Sequence, residues 1–192
     1  MGVPPWTPLI GGPLFVVREG RPRRDAHTGF IKVSVTNYQV ESTMFEMRPI
    51  GFVRSPYSET KQIPKGCGAK HDAEGVLEIL PEFEEGLIDI EGFSHLFVIW
   101  VFHQADGYSL LGKPPTDDRP HGVFATRSPR RPNPIGLTVV EMIRREDTRL
   151  HVRGIDMLDG TPILDIKPYL SSVPMEKLKR GWLAEAEQRR ES

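Results

Sequence analysis

Cysteine is nearly missing from this chain: Cys67 stands alone among 192 residues. A single thiol makes no internal disulfide and no Cys-based zinc cluster. Cys67 lies between Gly66 and Gly68, with no helix start or histidine placed to activate it, so it reads as inert. Long apolar runs are also missing, which excludes a membrane-spanning helix. The N-terminus lacks the cationic start, apolar stretch and small-residue cleavage site of a secretory signal. Together these absences point to a chain of the cytoplasm. Charge of one sign is missing as well. The formal net charge is −1, and beyond residue 43 the chain carries 20 basic and 23 acidic residues. That balance speaks against a protein that coats nucleic acid. Contact with nucleic acid would depend on where cations such as Arg119, Arg127, Arg130 and Arg131 are placed.

Familiar cofactor motifs are absent too. No G-x-G-x-x-G follows a strand, so the usual dinucleotide site is not supported. The run Gly107–Pro114 comes within one residue of a phosphate-binding loop. Pro114 stands where a magnesium-binding hydroxyl belongs and lacks the backbone N–H that a phosphate needs. The six histidines are scattered, with neither His-x-x-x-His nor H-E-x-x-H, so no metal site is expected.

Residues 1–43 are rich in Pro and Gly, with strand-like pieces only at Leu14–Val17 and Phe30–Val35. They read as a poorly ordered N-terminal extension. Met44 or Met47 reads as an alternative native start, just ahead of the first convincing strand. Residues 44–192 read as one domain. Strands are expected at Pro49–Arg54, Gly75–Leu80, His95–His103, Gly122–Thr126 and Ile163–Ile166. The nearly continuous apolar run from Leu96 to Phe102 suits a strand buried on both faces. Gly136–Asp147 and Arg149–Met157 read as a hairpin. Pro81–Gly86 reads as a short helical turn, Pro64–Asp72 as a loop and Met175–Arg190 as a helix. Many short strands with few helices predict a mainly β fold: a small, closed or nearly closed β-barrel with short helices and a C-terminal helix.

The most informative run is Val123–Gly136, which holds Thr126-Arg127-Ser128-Pro129-Arg130-Arg131-Pro132-Asn133-Pro134-Ile135-Gly136. Three prolines fix the backbone and forbid a helix or central strand. The arginines therefore sit on a stiff loop, which loses little entropy on binding carboxylate or phosphate. A rigid surface turn with solvated arginines explains the same residues equally well. His103-Gln104 closes the most apolar strand, where a barrel rim residue meets either a ligand or a plain hydrogen-bond partner. Asp159-Gly160 predicts a tight turn with exposed backbone groups.

Taken together, these segments resemble the TsaA-like family, also called TrmO. The resemblance rests on Ile50-Gly51-Phe52-Val53-Arg54-Ser55-Pro56-Tyr57, Gly92-Phe93-Ser94-His95-Leu96, Phe102-His103-Gln104, Phe124–Gly136 and Asp159–Tyr169, and spans roughly residues 47–172. It implies a small β-barrel that binds S-adenosylmethionine outside the Rossmann framework. It also implies a homodimer with the cofactor near the interface, and methylation of N6 of N6-threonylcarbamoyladenosine beside the tRNA anticodon. The family's cofactor contacts fall on Pro64, Lys65 and Gly66, on His103 and Gln104, on Arg127, near Leu137, and on Asp159, Gly160, Thr161 and Pro162. Arg127 suits the cofactor's carboxylate, Asp159 or backbone carbonyls its amino group and ribose, and Leu137 with the barrel mouth its adenine. The catalytic residue stays open. His103 is the first candidate for a base, by its intrinsic pKa. Arg130, Arg131 and Asn133 are the candidates for tRNA contacts. Bacterial relatives often carry a further C-terminal domain, whereas about twenty residues follow Ser172 here. Two alternatives remain at this point: a non-catalytic module that senses S-adenosylmethionine, and a methyltransferase for another RNA or a small molecule.

Overall fold

A computed structural model describes residues 31–37, 40–65, 71–170, 174 and 180–191. Strands β1 (Ile31–Asn37) and β2 (Val40–Met47) pair antiparallel as a separate two-stranded sheet. β2 runs through both Met44 and Met47, which the sequence reading places ahead of the first strand. Leu14–Val17 and Phe30 lie outside the described residues.

Six strands form the main body: β3 (Gly51–Arg54), β4 (Glu74–Ile79), β5 (His95–Val101), β8 (Ile135–Glu146), β9 (Arg149–Arg153) and β10 (Pro162–Pro168). Each pairs antiparallel with its neighbours in the order β10-β3-β4-β9-β8-β5, and β10 pairs β5 to close the barrel. Closure leaves no unpaired sheet edge. Side chains alternate in and out along each strand. The inward set includes Val53, Leu77, Ile79, Leu96, Val98, Trp100, Val140, Leu150, Val152 and Ile163. Each such side chain contributes about 1.5–3 kcal/mol by leaving water. Between β4 and β5 lie the 3₁₀ turns Pro81–Leu87 and Ile90–Gly92, the first where the sequence predicts a helical turn.

Three expectations are corrected. β5 is buried mainly on one face: Leu96, Val98 and Trp100 are buried, while on the other face Phe97 and Ile99 are half-buried and Val101 at the strand's end is buried. The strand belongs to an antiparallel barrel, and so has an inside and an outside. Gly122–Thr126 is not a strand. β6 (Leu111–Gly112) pairs β7 (His121–Gly122), and Val123–Ala125 then coils into a 3₁₀ turn. Thr126 closes that turn, its hydroxyl donating to the Val123 carbonyl at 2.9 Å. The C-terminal helix α1 covers Trp182–Glu191, and residues 175–179 lie outside the described residues.

Helix α1 docks on the 117–125 segment of its own chain. The Trp182 ring stacks on His121 at 4.1 Å, and its Nε1 donates to the Ala125 carbonyl at 2.9 Å. Beside it the Asp117 carboxylate, 1% exposed, pairs with Arg119 and with Arg189 of α1, both at 2.9 Å, and with His121 at 3.3 Å. Among the described residues no helix is long and apolar enough to cross a membrane.

Candidate functional site

The alternation of strand direction gathers the candidate residues at one end of the barrel. β3, β9 and β5 end there, and β4, β8 and β10 begin there. This end, the mouth, therefore collects Pro64 and Lys65 after β3, His103 and Gln104 after β5, the 126–134 loop before β8, and Asp159–Pro162 before β10. Gly66 lies outside the described residues.

The arginine loop is braced by its own polar side chains. The Ser128 N–H donates to Thr126 Oγ1 at 3.3 Å, and the Arg130 N–H donates to Ser128 Oγ at 3.3 Å. These side-chain turns do locally what a hydrogen-bonded backbone turn would do. Arg131 is half-buried, and its Nη1 donates to the Thr126 carbonyl at 3.2 Å, so this guanidinium holds the loop together. Arg127, Arg130 and Asn133 are exposed. The loop is tied down on both sides: the Phe102 N–H donates to the Pro134 carbonyl at 2.8 Å, and the Ser109 N–H to the Arg130 carbonyl at 3.2 Å. Two exposed aromatic rings flank it, Tyr108 and Phe124, the latter 78% exposed.

The Asp159–Pro162 turn departs from expectation. Its backbone donors are taken: Asp159 N–H by the Tyr57 carbonyl at 2.8 Å, Gly160 N–H by Val53 at 2.8 Å and Thr161 N–H by Leu158 at 3.2 Å. Gly160 takes the left-handed backbone, φ +72°. One Asp159 oxygen accepts from the Ser55 N–H at 3.1 Å, and Thr161 is buried. What the turn offers outward is the remaining carboxylate oxygen, with Arg54 Nη1 4.0 Å away. His103 and Gln104 form an exposed turn on the rim, with the His103 N–H donating to the Val101 carbonyl at 2.8 Å.

Leu137 faces the other way. It is 47% exposed on the outside of β8, with Ile135 and Val139, opposite Ile99 and Phe97 of β5. The Tyr169 ring extends this apolar outer face, 5.0 Å from the Phe97 ring.

The inner face of β8 carries a buried polar chain that sequence patterning does not reveal. Gly136 is flush against Trp100: a Cβ there would fall onto the indole, 2.5 Å from Cζ2 and 2.6 Å from Cδ2. Trp100 Nε1 donates to Thr138 Oγ1 at 3.0 Å, and Thr138 Oγ1 donates to Asp156 Oδ1 at 2.6 Å. Burial pushes the Asp156 carboxyl above its usual range, partly offset by the Thr138 hydrogen bond and by the charges of His71 and Arg127. His71 Nδ1 is buried with no partner among the described residues.

A cleft of about 510 Å³ lies elsewhere, between Lys113–Asp118 and Ala186 and Arg189 of α1. Of its two acidic residues, Asp117 is committed to the ion pairs that dock the helix. The near match to a phosphate-binding loop at 107–114 leads into no helix, which removes that possibility. Among the described residues no group of His, Cys, Asp or Glu is arranged to hold a metal ion.

Residues 52–174 match the tRNA-methyltransferase O N-terminal domain family. The chain belongs to the TrmO family. A Pyrococcus abyssi relative named "Probable S-adenosyl-L-methionine-binding protein" is 50% identical over 137 residues, 71% of this chain and 74% of that one. The Escherichia coli tRNA (adenine(37)-N6)-methyltransferase is 38% identical over 136 residues, covering 66% of this chain and 58% of that enzyme. A solved TrmO structure is 40% identical with a TM-score of 0.60, covering 71% of this chain and 64% of that one. The TrmO match takes in the whole barrel from β4 to β10 and every loop of the mouth from Pro64 onward.

Proposed function

We propose that the protein is a methyltransferase of the cytoplasm. It moves the methyl group of S-adenosylmethionine to N6 of N6-threonylcarbamoyladenosine beside the tRNA anticodon. The observation that carries this reading is the convergence of the family's motif segments on one barrel mouth, with Arg127 projecting from a braced loop above a buried polar floor. The residues present fit the cofactor: a guanidinium for its carboxylate, the outward Asp159 oxygen for its amino group or ribose, and a buried ring nitrogen of His71 that has no partner among the described residues. Bound there, S-adenosylmethionine supplies an electrophilic methyl on a sulfonium sulfur. The chain's own share is alignment, because a rigid loop and a fixed floor hold donor and acceptor in line. Arg130 and Asn133 meet the tRNA backbone or bases, and the exposed Tyr108 and Phe124 offer ring faces to unstacked bases.

Arg131 supports tRNA binding through the loop it braces. The working unit is a homodimer that covers the apolar outer face of Ile135, Leu137, Val139, Phe97 and Ile99. That face puts Leu137 at the subunit boundary, close to the Arg127 loop that leads into β8.

A methyl-transfer assay tests the proposal. Protein, S-adenosylmethionine and tRNA from cells lacking this methylation are incubated, and the digested nucleosides are weighed. A threonylcarbamoyladenosine heavier by one methyl group is expected. Cofactor binding with no heavier nucleoside would leave a binding module.

A further inference from the structure

We propose that Asp156 is the base that takes the proton from the acceptor nitrogen during methyl transfer. This assignment rests on the methyltransferase reading above and deepens it. The geometry begins with the indole of Trp100, which donates only. At 3.0 Å it compels Thr138 Oγ1 to accept, so the Thr138 hydroxyl spends its own hydrogen on Asp156 Oδ1, 2.6 Å away. In the charged carboxylate Oδ1 holds this hydrogen bond, and Oδ2 is the oxygen left to receive a proton.

The pair lies just past the β8–β9 ladder, whose last rung on this side is Glu141 opposite Arg153. There the chain turns through Gly154, φ +98°, and the Gly154 and Ile155 N–H groups donate to the Ala73 carbonyl at 3.0 and 3.2 Å, which fixes the segment that carries Asp156 beside Thr138. The titratable and charged groups facing Asp156 from the packed segments are His71, ahead of β4, and Arg127, on the loop ahead of β8. Burial makes the carboxylate more basic than an ordinary aspartate, while these cations and Thr138 keep it from rising further.

The step balances. The nitrogen lone pair forms the N–CH₃ bond, the S–CH₃ pair returns to sulfur, and the N–H proton passes to Asp156 Oδ2 and then to water. His103, exposed on the rim, then belongs to positioning.

Two measurements test this together. The first is titration of the Asp156 carboxyl in the protein without cofactor, by carbon NMR. The second is single-turnover methyl transfer against pH, alongside calorimetric binding of S-adenosylmethionine. Wild type is expected to lose rate as pH falls through the same value at which Asp156 titrates, above the ordinary aspartate value of about 3.9. Thr138→Val removes a hydrogen bond that favours the charged form, so it moves the titration and the acidic limb upward by the same amount. Asp156→Asn retains cofactor affinity but loses about 10²–10⁴-fold in rate, and Asp156→Glu restores part of it. If Asp156→Asn fails to fold, Thr138→Val carries the test.

An active wild type with an unimpaired Asp156→Asn variant overturns the assignment and leaves the methyltransferase reading standing. So does a variant that loses cofactor affinity but keeps its rate at saturation, because Asp156 would then be a ligand for the cofactor. So does a Thr138→Val variant in which the titration moves and the limb does not. A wild type that binds cofactor and methylates no tRNA overturns the reading itself, and the assignment with it.

Discussion

Gly136→Ala tests how the barrel floor is built. The added methyl would enter the Trp100 indole, 2.5 Å from Cζ2, so the ring or the strand must move. Overpacking of this kind costs about 1–3 kcal/mol. Moving the indole also breaks its 3.0 Å hydrogen bond to Thr138, worth about 0.5–1.5 kcal/mol. The expected loss is therefore about 1.5–4.5 kcal/mol. In a chain of this size a loss of about 3 kcal/mol lowers Tm by about 6–12 °C. The assay is thermal and urea unfolding followed by tryptophan fluorescence and circular dichroism, run as a double-mutant cycle with Trp100→Leu. Without the indole the added methyl has room, so Gly136→Ala should cost less than about 1 kcal/mol in that background. Equal cost in both backgrounds, or a loss below about 0.5 kcal/mol in the wild type, would refute the packing argument.

Arg127→Ala should weaken S-adenosylmethionine binding by about 10–100-fold, the value of a charged hydrogen bond of roughly 1.5–3 kcal/mol, with Tm unchanged; calorimetry and a melt decide it. Arg131→Ala removes the brace on the Thr126 carbonyl, and should make the 126–134 loop cleavable by protease before it alters the barrel's melt. The Asp117 carboxyl is held far below its usual range, chiefly by its hydrogen bonds to Arg119. A depressed folded pKa means that its contribution is complete above the unfolded value of about 3.9 and drains away as pH falls below it. Acid titration should accordingly release the Trp182 stack, read by fluorescence, and Asp117→Asn should release it at neutral pH. Phe124→Ala should weaken tRNA binding by about 1–3 kcal/mol in a filter-binding assay, leaving cofactor affinity alone. Val139→Lys on the apolar outer face should turn a dimer into a monomer in light scattering without unfolding the barrel.

Much of the fold is written in local pattern. The alternation Val76 to Leu80 gives β4, the helical turn expected from Pro81 is a 3₁₀ turn, and the β8–β9 hairpin read across Glu146-Asp147-Thr148 turns at Asp147-Thr148, with Glu146 still in β8. The failures have local causes as well. Val123-Phe124-Ala125 carries strand-like residues, yet the Thr126 hydroxyl captures the Val123 carbonyl and coils them. The apolar run of β5 suggests burial on both faces, but neighbouring sequence does not say that its partners leave Phe97 and Ile99 on the outside. The Asp159-Gly160 turn looks open because its acceptors, Tyr57 and Val53, lie a hundred residues upstream. Asp156 stayed hidden for the same reason. Its meaning depends on Thr138 eighteen residues away and on Trp100 across another ladder, and no window of sequence holds all three.

The two ends of the barrel differ in how much chain they carry. At one end the strands are joined by a two-residue turn at 147–148 and by the compact 3₁₀ segment of 80–94; at the other by 55–73, 102–134 and 154–161. The ladder is indifferent to what those long connections contain. A lineage can thus rewrite the 102–134 segment to admit a different acceptor while inheriting the holder, its register and its buried polar floor intact.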